Sequence, residues 1–368
     1  MASRLDNQEN RAGDTASSNQ PATPSTPHRR SSAERPNPHD SIQSLTGVEV
    51  IATGACAPSE IVRNEDLAQL GYDADWIVQR TGIRERRRAP ADQATSDVAL
   101  AAARHCLQQA QLDADDLDFI LVATMTPDHM TPSTACVVQQ GLGAHCPALD
   151  LNAACAGFMY GLITGMHFIH SGTYQRVMVI GADLLSRIVD PKDKKTYPLF
   201  GDGAGAVLLG GNDNNPGLLA FTLGADGSGG ESLWVPGGGS REPLTESTMT
   251  AGRQYLQMDG RAVFKWAVRT ITESVTAVMQ HAGIEKKDLS LVVFHQANMR
   301  IIDAATDHLG LDPDQVFVNL DRYGNTSAAS IPLALEEACQ QGRVQRGDKV
   351  LLSGFGAGLA WGSAILQW

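Results

Sequence analysis

Three residues of this chain have types and settings suited to chemistry: Cys155, His295 and Asn325. Cys155 stands in Ala-Leu-Asp-Leu-Asn-Ala-Ala-Cys-Ala-Gly-Phe, where an apolar strand pattern turns abruptly into a helix pattern with glycines at 157, 161 and 165. A thiol on the first turn of a helix feels the free N–H groups and the dipole there, which favour thiolate and predict a lowered pKa. That is a nucleophile's setting, although the segment alone fits a small apolar core cysteine equally well. His295 closes a strand pattern over 291–294 and opens Gln-Ala-Asn-Met-Arg; a lone histidine at a strand end is usually no more than a hydrogen-bonded residue. Asn325, in Tyr-Gly-Asn-Thr-Ser-Ala-Ala-Ser, follows an apolar run read as a strand over 316–320 and by itself suits a turn or cap.

The elements that must hold these groups follow from the hydrophobic pattern. From Val48 onward short β-rich runs alternate with helix-like stretches, the pattern of a parallel sheet with crossover helices, and 36 glycines with 5% aromatics point to an interior of close backbone approaches. The pattern also repeats. The run ending at Gly54 answers the run ending at Gly224, the strand over 117–122 answers 289–294, and the strand over 177–180 answers 350–353, at offsets of 170, 172 and 173. Such repetition indicates a duplication, which divides the chain into a tail at 1–43, one α/β half at 44–215 and a second at 216–368. Loops at the carboxyl ends of parallel strands then converge between the halves. Asn325 lies 170 residues after Cys155, so the repeat puts the two at equivalent strand-to-helix turns.

Two glycine motifs, Gly-Asp-Gly-Ala-Gly from 201 and Gly-Phe-Gly-Ala-Gly from 354, lack the full dinucleotide-binding spacing and its distant acid. They are expected to form tight turns that bring backbone near the nucleophile, where an N–H can face an oxyanion.

A net charge of -12 argues against nucleic acid as a partner, while a local basic patch can still receive an acidic one. The most apolar helix pattern, 155–172, contains His167 and His170; its glycine spacing is read as close packing in a water-soluble core rather than as a membrane span. The cysteines at 56, 106, 136, 146, 155 and 339 form no CxxC pair and no ligand spacing. They are expected to be reduced thiols in a cytoplasmic protein that holds no metal. Residues 1–43 carry five arginines, five acids and almost nothing apolar, a composition that cannot offset its ordering entropy and reads as disordered; a transit peptide is disfavoured by the acids.

Taken together, Ala-Cys-Ala-Gly-Phe, Phe-Gly-Asp-Gly-Ala-Gly-Ala, His-Gln-Ala-Asn-Met-Arg-Ile-Ile and Gly-Asn-Thr-Ser-Ala-Ala-Ser resemble the β-ketoacyl-acyl-carrier-protein synthase III family of thiolase-fold condensing enzymes. Trp-Ile-Val-Gln-Arg-Thr-Gly-Ile-Arg from 76 matches as well, and the likeness runs over about 45–368. It implies two duplicated α/β halves in a layered αβαβα thiolase-like fold and a homodimer. It also implies that Cys155 takes an acyl group from acyl-CoA, a substrate rather than a resident cofactor. Malonyl-acyl carrier protein then loses carbon dioxide and attacks the thioester, with His295 and Asn325 stabilising the enolate. Two neutral donors suit that task, and a thiolate suits the first.

By the same resemblance the backbone N–H groups of Cys155 and Ala357 form the acyl oxyanion hole, with Ala357 where many members have glycine. Trp76 stacks on the adenine, and Arg80 and Asn298 lie near the coenzyme A arm. Lys194 stands where the family often has arginine, which weakens stacking because an ammonium lacks the guanidinium plane. Gln296, Ala297, Asn298, Met299 and Arg300 are where carrier protein docks. Arg84, Arg86, Arg87 and Arg88 form a basic run, usually a solvated face and alternatively an aid to docking. Thr131 replaces a bulky aromatic that closes the acyl pocket across the dimer in short-chain members, so primers longer than acetyl are expected.

Other functions compete with this one. A specialised acyltransferase or condensing enzyme could use the same three residues on another acceptor. The Cys, His and Asn order also suits a papain-like hydrolase, but that family's cysteine motif is absent and its fold lacks the duplicated pattern. A catalytically silent scaffold is disfavoured because all three reactive residues are present.

Overall fold

Alternating Val, Ile, Leu and Gly runs form the strands, and turn chemistry decides where each ends. The structure, a computed structural model, describes residues 42–368 apart from Asp213 and Asn215. The expected tail therefore lies outside the described residues but for Ile42 and Gln43, and Gln43 already opens a strand.

The strands are β1 (Gln43–Leu45), β2 (Val48–Cys56), β3 (Glu60–Arg63), β4 (Glu85–Arg88), β5 (Phe119–Ala123), β6 (Ala148–Leu151), β7 (Arg176–Leu184) and β8 (Asp202–Gly211), followed by β9 (Leu218–Ala225), β10 (Leu233–Trp234), β11 (Gln257–Met258), β12 (Leu291–Phe294), β13 (Lys349–Gly356) and β14 (Ala360–Gln367). The helices are α1 (Ala74–Thr81), α2 (Thr95–Ala110), α3 (Thr134–Leu142), α4 (Gly157–His170), α5 (Glu246–Thr250), α6 (Gly260–Ala282), α7 (Met299–Leu309), α8 (Leu320–Tyr323) and α9 (Ser330–Gln340).

One five-stranded sheet runs β2-β8-β7-β5-β6 and the other β1-β9-β14-β13-β12. Their pairings match: β5 is parallel to β7 as β12 is to β13, and β8 and β14 each return antiparallel between their neighbours. The sheets are thus mixed, not wholly parallel as the pattern suggested. Only 357–359 separate β13 from β14, too few residues for the crossover that a parallel pair requires. The run 316–320 is not a strand either. Val316 makes one parallel bridge to Val292, at the place corresponding to β6, and Leu320 already begins α8.

Helices α4 and α9 lie between the two sheets, sharing one core with Val179 and Leu209 on one side and Val293 and Leu352 on the other. Outside, α2 and α3 cover the first sheet through Val98, Cys106 and Val138, and α6 and α7 cover the second through Ile271, Val275 and Ile302. The result is five layers, αβαβα. Glycine spacing in α4 serves this packing: a Cβ on Gly165 would stand 2.9 Å from Leu209 Cδ1 and 3.0 Å from Val179 Cγ2. Among the described residues no helix is long and apolar enough to cross a membrane.

The glycine motifs differ from expectation, since Gly203 and Gly205 lie inside β8 and Gly354 and Gly356 inside β13. These four are approach points, while Gly358, the last glycine of the second motif, does lie in the turn between β13 and β14, with φ 140°. A Cβ on Gly205 would meet Leu333 N at 2.6 Å, so the glycine admits α9, while Gly356 lies against the turn before α4.

Candidate active site

Cys155 occupies a 3-10 turn, Ala154–Ala156, that feeds directly into α4. Its geometry is set three residues earlier. Asn152 Oδ1 accepts the N–H of Ala154 at 3.1 Å, and Ala154 adopts the left-handed region with φ 47°. A non-glycine residue there costs about 1–2 kcal/mol, a strain that the asparagine cap helps to hold. The second half repeats the device: Asn325 Oδ1 accepts the N–H of Ser327 at 2.9 Å, Ser327 has φ 52°, and the turn Ser327–Ala329 runs into α9. The structural equivalence is therefore at an offset of 173, which pairs Asn325 with Asn152 and Cys155 with Ala328. The offset of 170 read from the sequence put Cys155 opposite Asn325; the turns correspond, but the residues within them do not.

The two turns differ in what faces them. Ala328 donates its N–H to the carboxylate of Asp183 in β7, 3.2 Å away. At the matching place in β13 stands Gly356, whose Cβ, if it had one, would lie 2.7 Å from Cys155 N and 2.8 Å from Cys155 Cβ. A side chain therefore caps the backbone N–H of Ala328, whereas bare backbone lies against that of Cys155. Asp183 itself is buried and bound on its other oxygen by Met125 N at 2.8 Å and the Thr124 and Thr126 hydroxyls at 3.0 Å each. Burial nevertheless raises its pKa, with the hydrogen bonds opposing.

Cys155, His295 and Asn325 line one narrow cavity of about 130 Å³, together with Phe355, Gly356, Asn298, Val263 and Phe264. All three side chains are buried, His295 to 1% exposure. Burial pushes the Cys155 thiol up to about 12, against the weaker lowering effect of the Ser327 hydroxyl. This corrects the expectation of a thiolate favoured by the helix: in the resting site desolvation outweighs the helix end. The same burial drops His295 to about 3, so its imidazole is neutral at physiological pH. Phe355 stands edge-on to that ring, 5.1 Å between centroids. Asn325 spends its side-chain oxygen on Ser327 N, which leaves its NH₂ group as the part free to donate into the cavity.

A larger cavity of about 1120 Å³ is lined by Ala154, next to Cys155, and among others by Ala357, Tyr160, Leu233, Trp234 and Leu359. Thr131 is not among its linings; it is exposed on the loop beside Met130, which is 88% exposed. Among the described residues no group of three or more His, Cys, Asp or Glu side chains is arranged to hold a metal.

The residues expected near coenzyme A cluster at an outer rim. Trp76 is 37% exposed and carries Tyr72 stacked on it at 3.9 Å, with Arg80 5.5 Å from its ring and Lys194 5.5 Å from that of Tyr72. Tyr72 thus occupies a face of Trp76. Asn298 joins rim and cavity, donating to Arg80 O at 3.4 Å while its Oδ1 caps α7 at Arg300 N. Gln296 departs from its expected docking role because it is 1% exposed and its amide ties Phe294 O to Asn319 N. Ala297, Asn298 and Met299 are half-buried and only Arg300 is exposed.

Of the basic run only Arg84 is exposed, and the other three arginines do not form a solvated face. Arg86 is fully buried, donating to Val62 O, Asn64 Oδ1 and Pro198 O, while Arg87 and Arg88 lie over Tyr323 and Tyr197. Burial, then Arg88, lowers Arg86 to about 10. Its carbonyl partner Pro198 precedes Leu199, whose own carbonyl receives Asn325 N at 2.8 Å, so this arginine helps to seat the Asn325 turn. A basic stripe that the sequence reading missed lies instead on α6, where Arg261, Lys265 and Arg269 are exposed at four-residue spacing beside Phe264 and Arg300.

Comparison with known proteins places this geometry. Residues 149–227 match the model of the 3-oxoacyl-[acyl-carrier-protein (ACP)] synthase III family, and residues 279–368 match the model of that family's C-terminal region. A β-ketoacyl-[acyl-carrier-protein] synthase III of Rhodopirellula baltica is 56% identical, over 88% of this chain and 99% of its own. One from Caldanaerobacter subterraneus subsp. tengcongensis is 46% identical, over 87% of this chain and 97% of its own. The crystal structure of 3-oxoacyl-[acyl-carrier-protein] synthase III from Aquifex aeolicus VF5 superposes with TM-score 0.81 at 42% identity, covering 88% of this chain and all of that one.

Proposed function

The chain belongs to the β-ketoacyl-[acyl-carrier-protein] synthase III family, and from that premise we propose the roles that its own residues play in the initiating condensation of fatty acid synthesis. It is an acyltransferase of the condensing type. The primer is an acyl-CoA and the extender is malonyl-acyl carrier protein. In the first half-reaction Cys155 sulfur attacks the thioester carbonyl, the bond to the coenzyme A sulfur breaks, and the thiol proton leaves with the departing thiol. The oxyanion forms beside the backbone N–H groups of Cys155 and Ala357. In the second, the carbon–carboxylate bond of the malonyl group breaks, carbon dioxide departs, and the electron pair passes through the enolate to the carbonyl carbon on Cys155. Collapse then expels Cys155 as leaving group. His295 and the NH₂ of Asn325 donate to the enolate oxygen as neutral groups, stabilising charge without supplying a base.

The observation that carries this reading is the convergence of all three residues on one buried cavity. The adjoining cavity suits an acyl chain longer than acetyl, and the family resemblance gives Thr131 the place of the aromatic that closes the pocket across the dimer in short-chain members. That cavity is open, and β6 is an edge strand with Leu149 39% exposed; both support a homodimer in which a second copy pairs at this edge and closes the pocket with its Met130–Thr131 loop. Trp76, Arg80, Lys194 and Asn298 would receive the coenzyme A arm. Arg300 with Arg261, Lys265 and Arg269 would receive a carrier protein of negative charge. The matching sheets support our division of the chain into two related halves joined near residue 216.

Intact-protein mass spectrometry tests the reading. Mixed with acyl-CoAs of graded length, the enzyme gains one acyl mass on Cys155, best with primers above two carbons, and malonyl-acyl carrier protein clears it with release of carbon dioxide. An acyl-enzyme that malonyl-acyl carrier protein leaves untouched would overturn the assignment.

A further inference from the structure

His295 is a donor only if the right nitrogen carries its proton, and the residue that decides this lies outside the catalytic three. Ser330, the first residue of α9, is 2% exposed, and its Oγ lies 2.6 Å from His295 Nδ1. The same oxygen accepts the backbone N–H of Gln296 at 3.3 Å. Its hydroxyl hydrogen needs an acceptor, since a buried O–H without one is costly. Among the described residues no other acceptor is bonded to that hydroxyl, and Nδ1 can accept only when it carries no proton. The ring is also neutral, as its burial requires.

We propose that Ser330 is a positioning residue that fixes His295 as the Nε2–H tautomer, so that the ring offers a proton, not a lone pair, to an oxygen in the cavity. Gln296 is the second part of the device. Its backbone N–H takes one of the two lone pairs of the serine oxygen, so the hydroxyl already accepts there and its own hydrogen is what remains to pair with Nδ1. Its side chain, bonded to Phe294 O and accepting from Asn319 N, holds that N–H in place. The inference rests on the reading of His295 as an enolate-stabilising donor only for its catalytic consequence; the tautomer itself is a property of the free enzyme.

Long-range ¹H–¹⁵N correlation on enzyme labelled with ¹⁵N-histidine reads the tautomer directly, with the His295 signal identified by its loss in His295→Ala. The wild-type enzyme should show Nε2–H alone from pH 5 to 9, and a dominant Nδ1–H form would overturn the proposal without any variant. Ser330→Ala should give mixed tautomers and lower kcat for malonyl decarboxylation by about tenfold, the worth of one hydrogen bond. KM and the rate of Cys155 acylation should stay near wild type, and Ser330→Thr should restore both spectrum and kcat. An unchanged spectrum in folded Ser330→Ala would also overturn it. Should His295→Ala decarboxylate normally while wild type shows Nε2–H, the tautomer assignment stands and the donor role of His295 fails.

Discussion

Gly356→Ala isolates the contact between β13 and the nucleophile. The new methyl would start 2.7 Å from Cys155 N, 2.8 Å from its Cβ and 3.1 Å from its Cα, where an ordinary contact begins at 3.4 Å. Relief therefore requires a relative shift of about 0.7 Å (3.4 less 2.7) between two stretches of backbone. Neither can swing aside as a side-chain tip would. Overpacking of this kind costs roughly 1–3 kcal/mol, and a displacement near 1 Å at a reacting atom can cost on the order of 100-fold in rate. Single-turnover acylation of Cys155, followed by intact mass, should fall by roughly 30- to 100-fold, with a modest loss of thermal stability. Gly354→Ala is the control. Its methyl would meet the Met159 and Ile331 side chains at 2.9 and 3.2 Å, which can give way, and Cys155 is not among its nearest neighbours. It should lower stability and leave acylation within about threefold. Wild-type acylation by Gly356→Ala, or equal losses in both variants, would refute the idea that bare backbone at 356 keeps the nucleophile in place.

Iodoacetamide should label exposed Cys136 before Cys155, and labelling at Cys155 should rise about tenfold per pH unit from 7 to 10, because its thiolate fraction grows towards a pKa of about 12; fast labelling at neutral pH would show that burial does not govern this thiol. Asn325→Asp keeps the oxygen that caps Ser327 but removes the NH₂ donor, so malonyl decarboxylation should fall on the order of 100-fold or more while acylation and melting temperature persist; loss of acylation would reverse the division of roles. Lys265→Glu should raise KM for malonyl-acyl carrier protein about tenfold, less so at high salt, with acyl-CoA kinetics unaltered; a carrier-protein KM indifferent to the change would remove α6 from the docking surface.

The duplicated pattern and the three residues that meet in one cavity were legible in the sequence because each depends on local order: a strand run, a sharp turn, a helix. What was not legible depends on distant partners. Arg86, Arg87 and Arg88 read as a solvated face, yet Tyr197 and Tyr323, which stack on two of them, lie more than a hundred residues downstream. The helix dipole at Cys155 is local and readable; the burial that overrides it comes from the second half of the chain. Gly203 and Gly205 look like a loop by composition, and only the approach of α9 explains glycine inside a strand. Ser330 and Asn152 carried no signal of their own, although two asparagines, each two residues before a strained position, form a pattern that the offset of 173 would have exposed.

That paired joint has a consequence for how the site came to be divided. Both copies keep the asparagine and the left-handed residue, so neither feature distinguishes the copy that carries the thiol from the one that does not. The distinction lies in two reciprocal exchanges: thiol at 155 against methyl at 328, and glycine at 356 against aspartate at 183. The Asp183 carboxylate holds the backbone N–H of Ala328 in one joint, and no side chain stands at 356 to do the same for Cys155 in the other. The two joints thus share one backbone conformation and differ in the side chains that it carries.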